Sequence, residues 1–292
     1  MNGVLPINKP SGWTSFDVVA KIRNILKIKK IGHMGTLDPI TTGVLLVTIG
    51  KSTKLFHLAP NHFKEYIAGF KFGLTTDTLD ITGNILSNSK IMIDSTSLSV
   101  CLPKFYGEIL QIVPSYSAVK INGKKLYERA RKGEPTELPI RKVTIKQLEL
   151  LNYNYQNQEG TLLIGCLTGT YVRALVSDIG RDLHCGATMT TLVRTKNYGI
   201  NLDQTITIAE VEQLEKAKQL HKYLLCADYF FNDYAPIKLS QQNTLKFQNG
   251  VKLNILTQSA MGYVRVYGSD DTFLGLGIID SQNILSVGKL LV

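Results

Sequence analysis

Cysteine is scarce in this 292-residue chain: Cys101, Cys166, Cys185 and Cys226 are widely scattered, with no Cys-x-x-Cys pair and no histidine at finger spacing. That pattern argues against a structural zinc and for reduced thiols in a cytosol. Long apolar runs are missing too. The longest, residues 44–49, falls far short of the roughly 18 residues that a membrane span requires. The start, Met1-Asn2-Gly3-Val4, carries no charged leader ahead of an apolar segment. A soluble, cytoplasmic protein with no membrane attachment is therefore expected. A phosphate-cradling loop is lacking as well, since Gly50-Lys51-Ser52 follows an apolar run instead of opening a helix. No internal repeat or low-complexity tract is evident.

What is present is a composition that can build a large core: 44% of the residues are hydrophobic, and the length suits one large domain or a large one plus a small one. Acidic residues are outnumbered 23 to 33, giving a net charge of +10. That excess is unevenly placed. Residues 1–54 hold eight basic and two acidic side chains, residues 120–146 hold nine and three, and the remainder is slightly acidic. Two basic windows in a nearly neutral chain suit a polyanion partner, because neutralised phosphates release counterions. A lysine-rich solvated surface would look the same by charge alone.

Along the chain, Val4-Leu5-Pro6-Ile7 leads into the turn residues Asn8-Lys9-Pro10-Ser11-Gly12. Thr14 or Ser15 then caps a predicted helix whose apolar positions are Phe16, Val19, Ile22, Ile25 and Leu26. A glycine-rich loop over 32–43 enters the apolar run 44–49, which suits a strand buried on both faces. A second strand is predicted over 66–72. Between 114 and 141, basic residues interleave with Tyr116 and Tyr127 without an apolar period, which reads as an exposed basic arm. A strand over 162–167 and a helix over 171–183, stopped by Gly186, come next, and Thr207 with Glu210 forms a capping box. After residue 232 the pattern becomes purely β, with runs at 262–267, 273–278 and 285–292 spaced as in a small barrel or sandwich.

Gly32-His33-Met34-Gly35-Thr36-Leu37-Asp38-Pro39 holds a carboxylate on a rigid turn, since the glycines allow close approach and Pro39 forces Asp38 into extended backbone. Alone, an Asp-Pro turn is more often structural than catalytic, and His33, Tyr66, Leu192 and Arg173 read as packing or surface residues.

The ordered set of motifs changes that reading. Asn8-Lys9-Pro10-Ser11-Gly12, the Asp38 loop with Thr42-Gly43, Lys64-Glu65-Tyr66 and Thr76-Asp77-Thr78-Leu79-Asp80 occur in sequence. They are followed by Pro114-Ser115-Tyr116-Ser117-Ala118-Val119-Lys120 with Gly123-Lys124-Lys125-Leu126-Tyr127, then Gly169-Thr170-Tyr171-Val172-Arg173 and Leu192-Val193-Arg194. From end to end the chain resembles the TruB family of pseudouridine synthases.

The resemblance implies an α+β fold, a mixed and mainly antiparallel sheet flanked by helices, with a catalytic domain over 1–232 and a small PUA-like β domain over 233–292. It implies isomerisation of uridine 55 in the T-loop of tRNA to pseudouridine, by base flipping and glycosidic-bond rearrangement, with no redox cofactor, nucleotide or metal. Asp38 matches the family's essential acid. Arg173 would pair with it and keep it ionised. Tyr66 would stack on the flipped base and assist proton removal at C5, while Tyr171 and Leu192 would line the pocket. His33 would contact flipped nucleotides, and Asp80 would support the site. Lys120, Lys124, Lys125, Arg129, Arg131 and Lys132 lie in the segment that matches the family's thumb and would contact phosphates. The expected partner is the tRNA T-arm stem-loop, bound by a monomer with no obligate protein partner. The rival readings are a non-catalytic tRNA-folding chaperone on the same scaffold and a guide-RNA-dependent relative.

Overall fold

The computed structural model describes residues 1–60, 63–255 and 261–291. A nine-stranded sheet organises the larger part of the chain. Its strands are β1 (Gly3–Lys9), β2 (Ile31–Met34), β3 (Thr42–Ile49), β4 (Lys64–Phe72), β5 (Gly107–Ile112), β6 (Ile140–Asn154), β7 (Glu159–Cys166), β8 (Ala187–Asn197) and β9 (Ile200–Asn201). Their order is β1-β3-β8-β4-β7-β6-β5, with β2 on β3 and β9 on β8. The β3–β8 pair is parallel, at Val193↔Thr42 and Arg194↔Gly43. The other pairs are antiparallel, so the sheet is mixed and mainly antiparallel, as the resemblance implied.

The helix Ser15–Leu26 begins at a capping box in which Thr14 and Asp17 satisfy each other's backbone amides. Val18, Val19 and Ile22 face the core, whereas Phe16 is exposed and lies under the Arg23 guanidinium. Of the expected apolar positions, Val19 and Ile22 are buried and Ile25 and Leu26 pack on the core, so only Phe16 departs, with Val18 taking the inward place instead. The helix Val172–Asp182 packs on β8 at Gly180, where a Cβ would sit 2.3 Å from the Ala187 nitrogen. Only glycine permits that approach. The helix ends within one residue of the predicted end, with Leu183 as its C-cap and both His184 and Gly186 in left-handed conformations that turn the chain away. The core is a continuous cluster in which Leu45, Val47, Ala68, Phe70, Leu162, Ile164, Leu175 and Ile179 meet. Burying each large aliphatic side chain contributes about 1.5–3 kcal/mol.

A separate five-stranded sheet follows: β10 (Pro236–Lys238), β11 (Leu253–Asn254), β12 (Gly262–Tyr267), β13 (Phe273–Ile279) and β14 (Ile284–Leu290), in the order β10-β12-β13-β14-β11. The predicted run to residue 292 matches β14 up to Leu290, and Val292 lies outside the described residues. A helix at Gln241–Gln248, capped by Ser240, interrupts what the sequence suggested was purely β. The arm over 114–141 forms a two-stranded hairpin, Lys120–Ile121 with Lys124–Lys125, and a short helix, Leu126–Ala130. No helix among the described residues is long and apolar enough to cross a membrane.

Candidate active site

The loop between β2 and β3 carries Asp38, and its backbone is tied down at nearly every residue. Ser15 Oγ accepts from the Leu37 amide at 2.8 Å and donates to the Leu37 carbonyl at 3.2 Å. The Gly12 amide donates to the Pro39 carbonyl, and the Thr41 amide to that of Asp38. Lys9, fully buried, donates to the Pro10, Trp13 and Pro39 carbonyls at 2.8, 2.5 and 3.2 Å. Arg194, also fully buried, donates to the Val44 carbonyl at 2.7 Å and the Gly35 carbonyl at 3.1 Å. At Gly43, φ is +99° and a Cβ would meet the Arg194 carbonyl oxygen at 2.2 Å, so glycine is required where β3 meets β8. Ties from four separate segments leave the carboxylate little freedom to wander.

Arg173 reaches this carboxylate from the first turn of its helix. Its Nε lies 3.5 Å from Asp38 Oδ2 and its Nη1 3.9 Å from Asp80 Oδ2, and the guanidinium is almost completely buried. Nη1 also donates to the Thr78 carbonyl at 3.2 Å and Nη2 to the Tyr116 carbonyl at 2.7 Å. The Tyr171 ring sits beside it, 5.9 Å from the guanidinium carbon. Asp80, in turn, accepts from the Thr78 hydroxyl and from the Thr82 amide and hydroxyl. Leu79, just before it, is held at φ +66°, a conformation that a branched side chain adopts only under constraint. The structure thus brings Asp38, Asp80, Tyr171 and Arg173 together from three distant stretches of sequence.

Electrostatics at Asp38 is a contest. About 36% of its side chain is open, yet the surrounding protein removes enough water to push its pKa up. Arg173 opposes the rise, Asp80 adds to it, and Lys9 opposes it. Arg173 therefore limits the rise without cancelling it, so pairing alone does not set the protonation of Asp38.

Tyr66 and Leu192 stand on the adjoining strands β4 and β8. Leu192 is in register with Ala68 and Arg194 with Tyr66, so these side chains share a sheet face by the two-residue alternation of a strand. Both are nearly buried. Burial raises the pKa of the Tyr66 phenol and the Arg194 charge opposes that. His33 is half-buried, its pKa is lowered by burial and then by Arg194, and its Nδ1 has no partner among the described residues.

Of the arm residues, Lys120, Lys124, Arg131 and Lys132 are exposed. Lys125 and Arg129 are half-buried: Lys125 and Arg131 flank the Tyr127 ring, and Arg129 reaches the Ile121 carbonyl. A groove of about 580 Å³ opens on the arm between Ile121, Arg129 and Leu138, away from Asp38. Among the described residues no group of three His, Cys, Asp or Glu side chains could hold a metal ion.

Sequence reasoning overlooked Gln111, Lys64 and the buried roles of Lys9 and Arg194. Gln111 is almost fully buried; it accepts from the Tyr171 amide at 2.8 Å and donates to the Tyr171 carbonyl at 3.1 Å. Lys9, Lys64 and Arg194 lay inside recognised motifs, but nothing in those motifs signals their surroundings. Gln111 carried no signal at all.

The architecture is the pseudouridine synthase fold. Over 99% of the chain it superposes on a chain of the archaeal box H/ACA sRNP Nop10-Cbf5 complex, covering 86% of that chain, with a TM-score of 0.74 at 20% identity. A chain of an H/ACA RNP bound to a substrate RNA containing 2'-deoxyuridine matches with the same TM-score at 22% identity, over 99% of this chain and 85% of that one. Residues 23–172 match the N-terminal domain of TruB family pseudouridylate synthases, residues 173–232 the tRNA pseudouridylate synthase B C-terminal domain, and residues 235–291 the pseudouridine synthase II TruB C-terminal domain. The tRNA pseudouridine synthase B of Clostridium tetani (strain Massachusetts / E88) is 40% identical over 299 residues, and that of Clostridium novyi (strain NT) 38% over 296, each covering 100% of both chains. The chain belongs to the TruB family of pseudouridylate synthases.

Proposed function

We propose that this chain is a tRNA pseudouridine synthase that isomerises uridine 55 in the T-loop. The observation that carries the reading is the Asp38 carboxylate, fixed on a pinned loop 3.5 Å from the buried Arg173 Nε. The full-length relatives named tRNA pseudouridine synthase B support it.

The reaction breaks the bond between ribose C1′ and uracil N1, turns the base and rejoins it through C5, with loss of the C5 proton. Asp38 is the carboxylate that reacts with sugar or base, and Arg173 orients it. The target nucleotide leaves its stack at a cost of a few kcal/mol and enters a pocket lined by Tyr66, Tyr171 and Leu192. Tyr66 stacks on the base and assists proton loss at C5. His33 contacts the flipped nucleotides, and Asp80 holds Arg173 from the far side. Lys120, Lys124, Lys125, Arg129, Arg131 and Lys132 meet phosphates, which position the RNA without reading bases. In this reading residues 1–232 catalyse, residues 233–292 extend the RNA contact, and the protein works as a monomer in the cytoplasm on the T-arm stem-loop.

A T-arm hairpin tritiated at the uridine C5 tests this. The native protein releases the label, and Asp38→Ala binds the hairpin without releasing it. Binding without release by the native protein would favour a tRNA-folding chaperone, and release by Asp38→Ala would remove Asp38 from the reaction.

A further inference from the structure

Two cations stand side by side on the pocket face with no acid to balance them. Lys64 lies two residues before Tyr66 on β4 and so projects to the same face. A Cβ placed on Gly35 would be 3.4 Å from both Lys64 Nζ and Arg194 Nη1, which brings the two charges to one spot beneath the Asp38 loop. Arg194 Nη1 is buried without an acceptor. Among the described residues, none of the ion pairs or side-chain hydrogen bonds involves Lys64. A desolvated cation pair without a counter-anion is unfavourable, so the place is suited to a ligand that brings the missing charge.

We propose that Lys64, backed by Arg194, seats one backbone phosphodiester of the RNA beside the target uridine. This rests on the RNA substrate of the proposed function. The spacing agrees: two strand residues separate Lys64 from Tyr66 by about 6.7 Å, close to one nucleotide step along an extended strand. Lys64 keeps part of its surface open, whereas Arg194 is fully enclosed. Lys64 is therefore the contact, and Arg194 supplies field from behind.

The groups facing Lys64 fix how the seat responds to pH. They are Arg194 on β8 and Cys166 on β7, with His33 on β2 also under the Arg194 field. Burial and then Arg194 lower the Lys64 pKa to about 8. Cys166, pushed up to about 11 by burial, is neutral there. Lys64 is charged below its pKa and neutral above it, so the seat weakens as pH rises through about 8.

Filter binding of the T-arm hairpin across salt and pH tests the seat. Lys64→Met is expected to weaken binding about tenfold, to make the slope of log affinity against log salt shallower by roughly 0.7–0.9, and to remove the decline near pH 8. Lys64→Arg should restore the slope without the decline. As a check independent of folding, hairpins with an uncharged methylphosphonate at each position flanking the target uridine should bind the native protein about tenfold more weakly at one position. Lys64→Met should be indifferent to that position. An unchanged slope in Lys64→Met, or no sensitive position with the native protein, overturns the seat. Neither result touches tritium release by the native protein, on which the proposed function stands.

Discussion

At the scale of single residues, Asp38 is held in a state the unfolded chain would not choose. Its pKa is raised first by burial and then by Asp80, and only partly offset by Arg173 and Lys9. An acid whose folded pKa is raised destabilises the fold once it is ionised, so stability falls as pH climbs through its titration range. Asp38→Asn should therefore melt higher than the native protein at pH 7 while losing more than about a hundredfold in tritium release. A lower melting temperature for this variant would contradict the upward shift. The acid limb of the native rate profile should lie above the ordinary carboxylate value of 3.8. Removing the Asp80 charge with Asp80→Asn should move that limb to lower pH. Asp38, Asp80, Tyr66, Tyr171 and Arg173 were named from motifs, and the structure brings the carboxylates, Tyr171 and the arginine together. Lys64 and Arg194 escaped because a basic residue within a strand reads as solvated by default, and only tertiary packing shows otherwise.

At the scale of elements, what positions Arg173 is the junction between the arm and its helix. Gln111 ends β5 one residue from the strand terminus and clamps both backbone groups of Tyr171, while the Tyr116 carbonyl at the root of the arm accepts from Arg173. Gln111→Met keeps the volume but strands the Tyr171 amide and carbonyl, a loss of about 1–3 kcal/mol. It should lower kcat more than it changes KM, since the arm's phosphate contacts remain and the arginine loses its setting. A rise in KM with kcat unchanged would locate the clamp in binding. Elements with strong local signals were legible: a cap at Thr14, the capping box at Thr207 and the buried strand β3 occur as their sequences indicate. The long strand β6 was not. Its inward positions thin out toward the exposed end, so alternation fades over its 15 residues. The helix Gln241–Gln248 was hidden for a similar reason, as only Phe247 in it is buried.

At the scale of the whole molecule, a second apolar cluster joins the two sheets. Leu276 from the C-terminal sheet and Leu291, just past its strand β14, meet Val44, Leu46, Phe56 and Phe231. Phe231 is fully buried, so Phe231→Ala should cost about 3–5 kcal/mol, with both sheets destabilised in one transition. A separate early melting of the C-terminal sheet alone would show that the cluster does not couple them. Charge works over the same distances, in two places that answer different questions. The pocket cations are few and desolvated, whereas Lys124 and its exposed neighbours Lys120, Arg131 and Lys132 lie on an arm in contact with water. Exposed cations contribute affinity by releasing counterions, so their share vanishes as salt rises. Replacing Lys124 and Lys125 by glutamine should therefore flatten the salt slope of hairpin binding by roughly 1.4–1.8 if both meet phosphates. Tritium release at saturating hairpin should stay near the native rate, because neither side chain touches Asp38 or Arg173. The two lysines belong to a hairpin separate from the sheet that holds β4, so this change should add to that of Lys64→Met. A double variant no flatter than either parent would mean that arm and pocket hold the same phosphate, and an unchanged slope in Lys124→Gln/Lys125→Gln would take the arm off the RNA backbone.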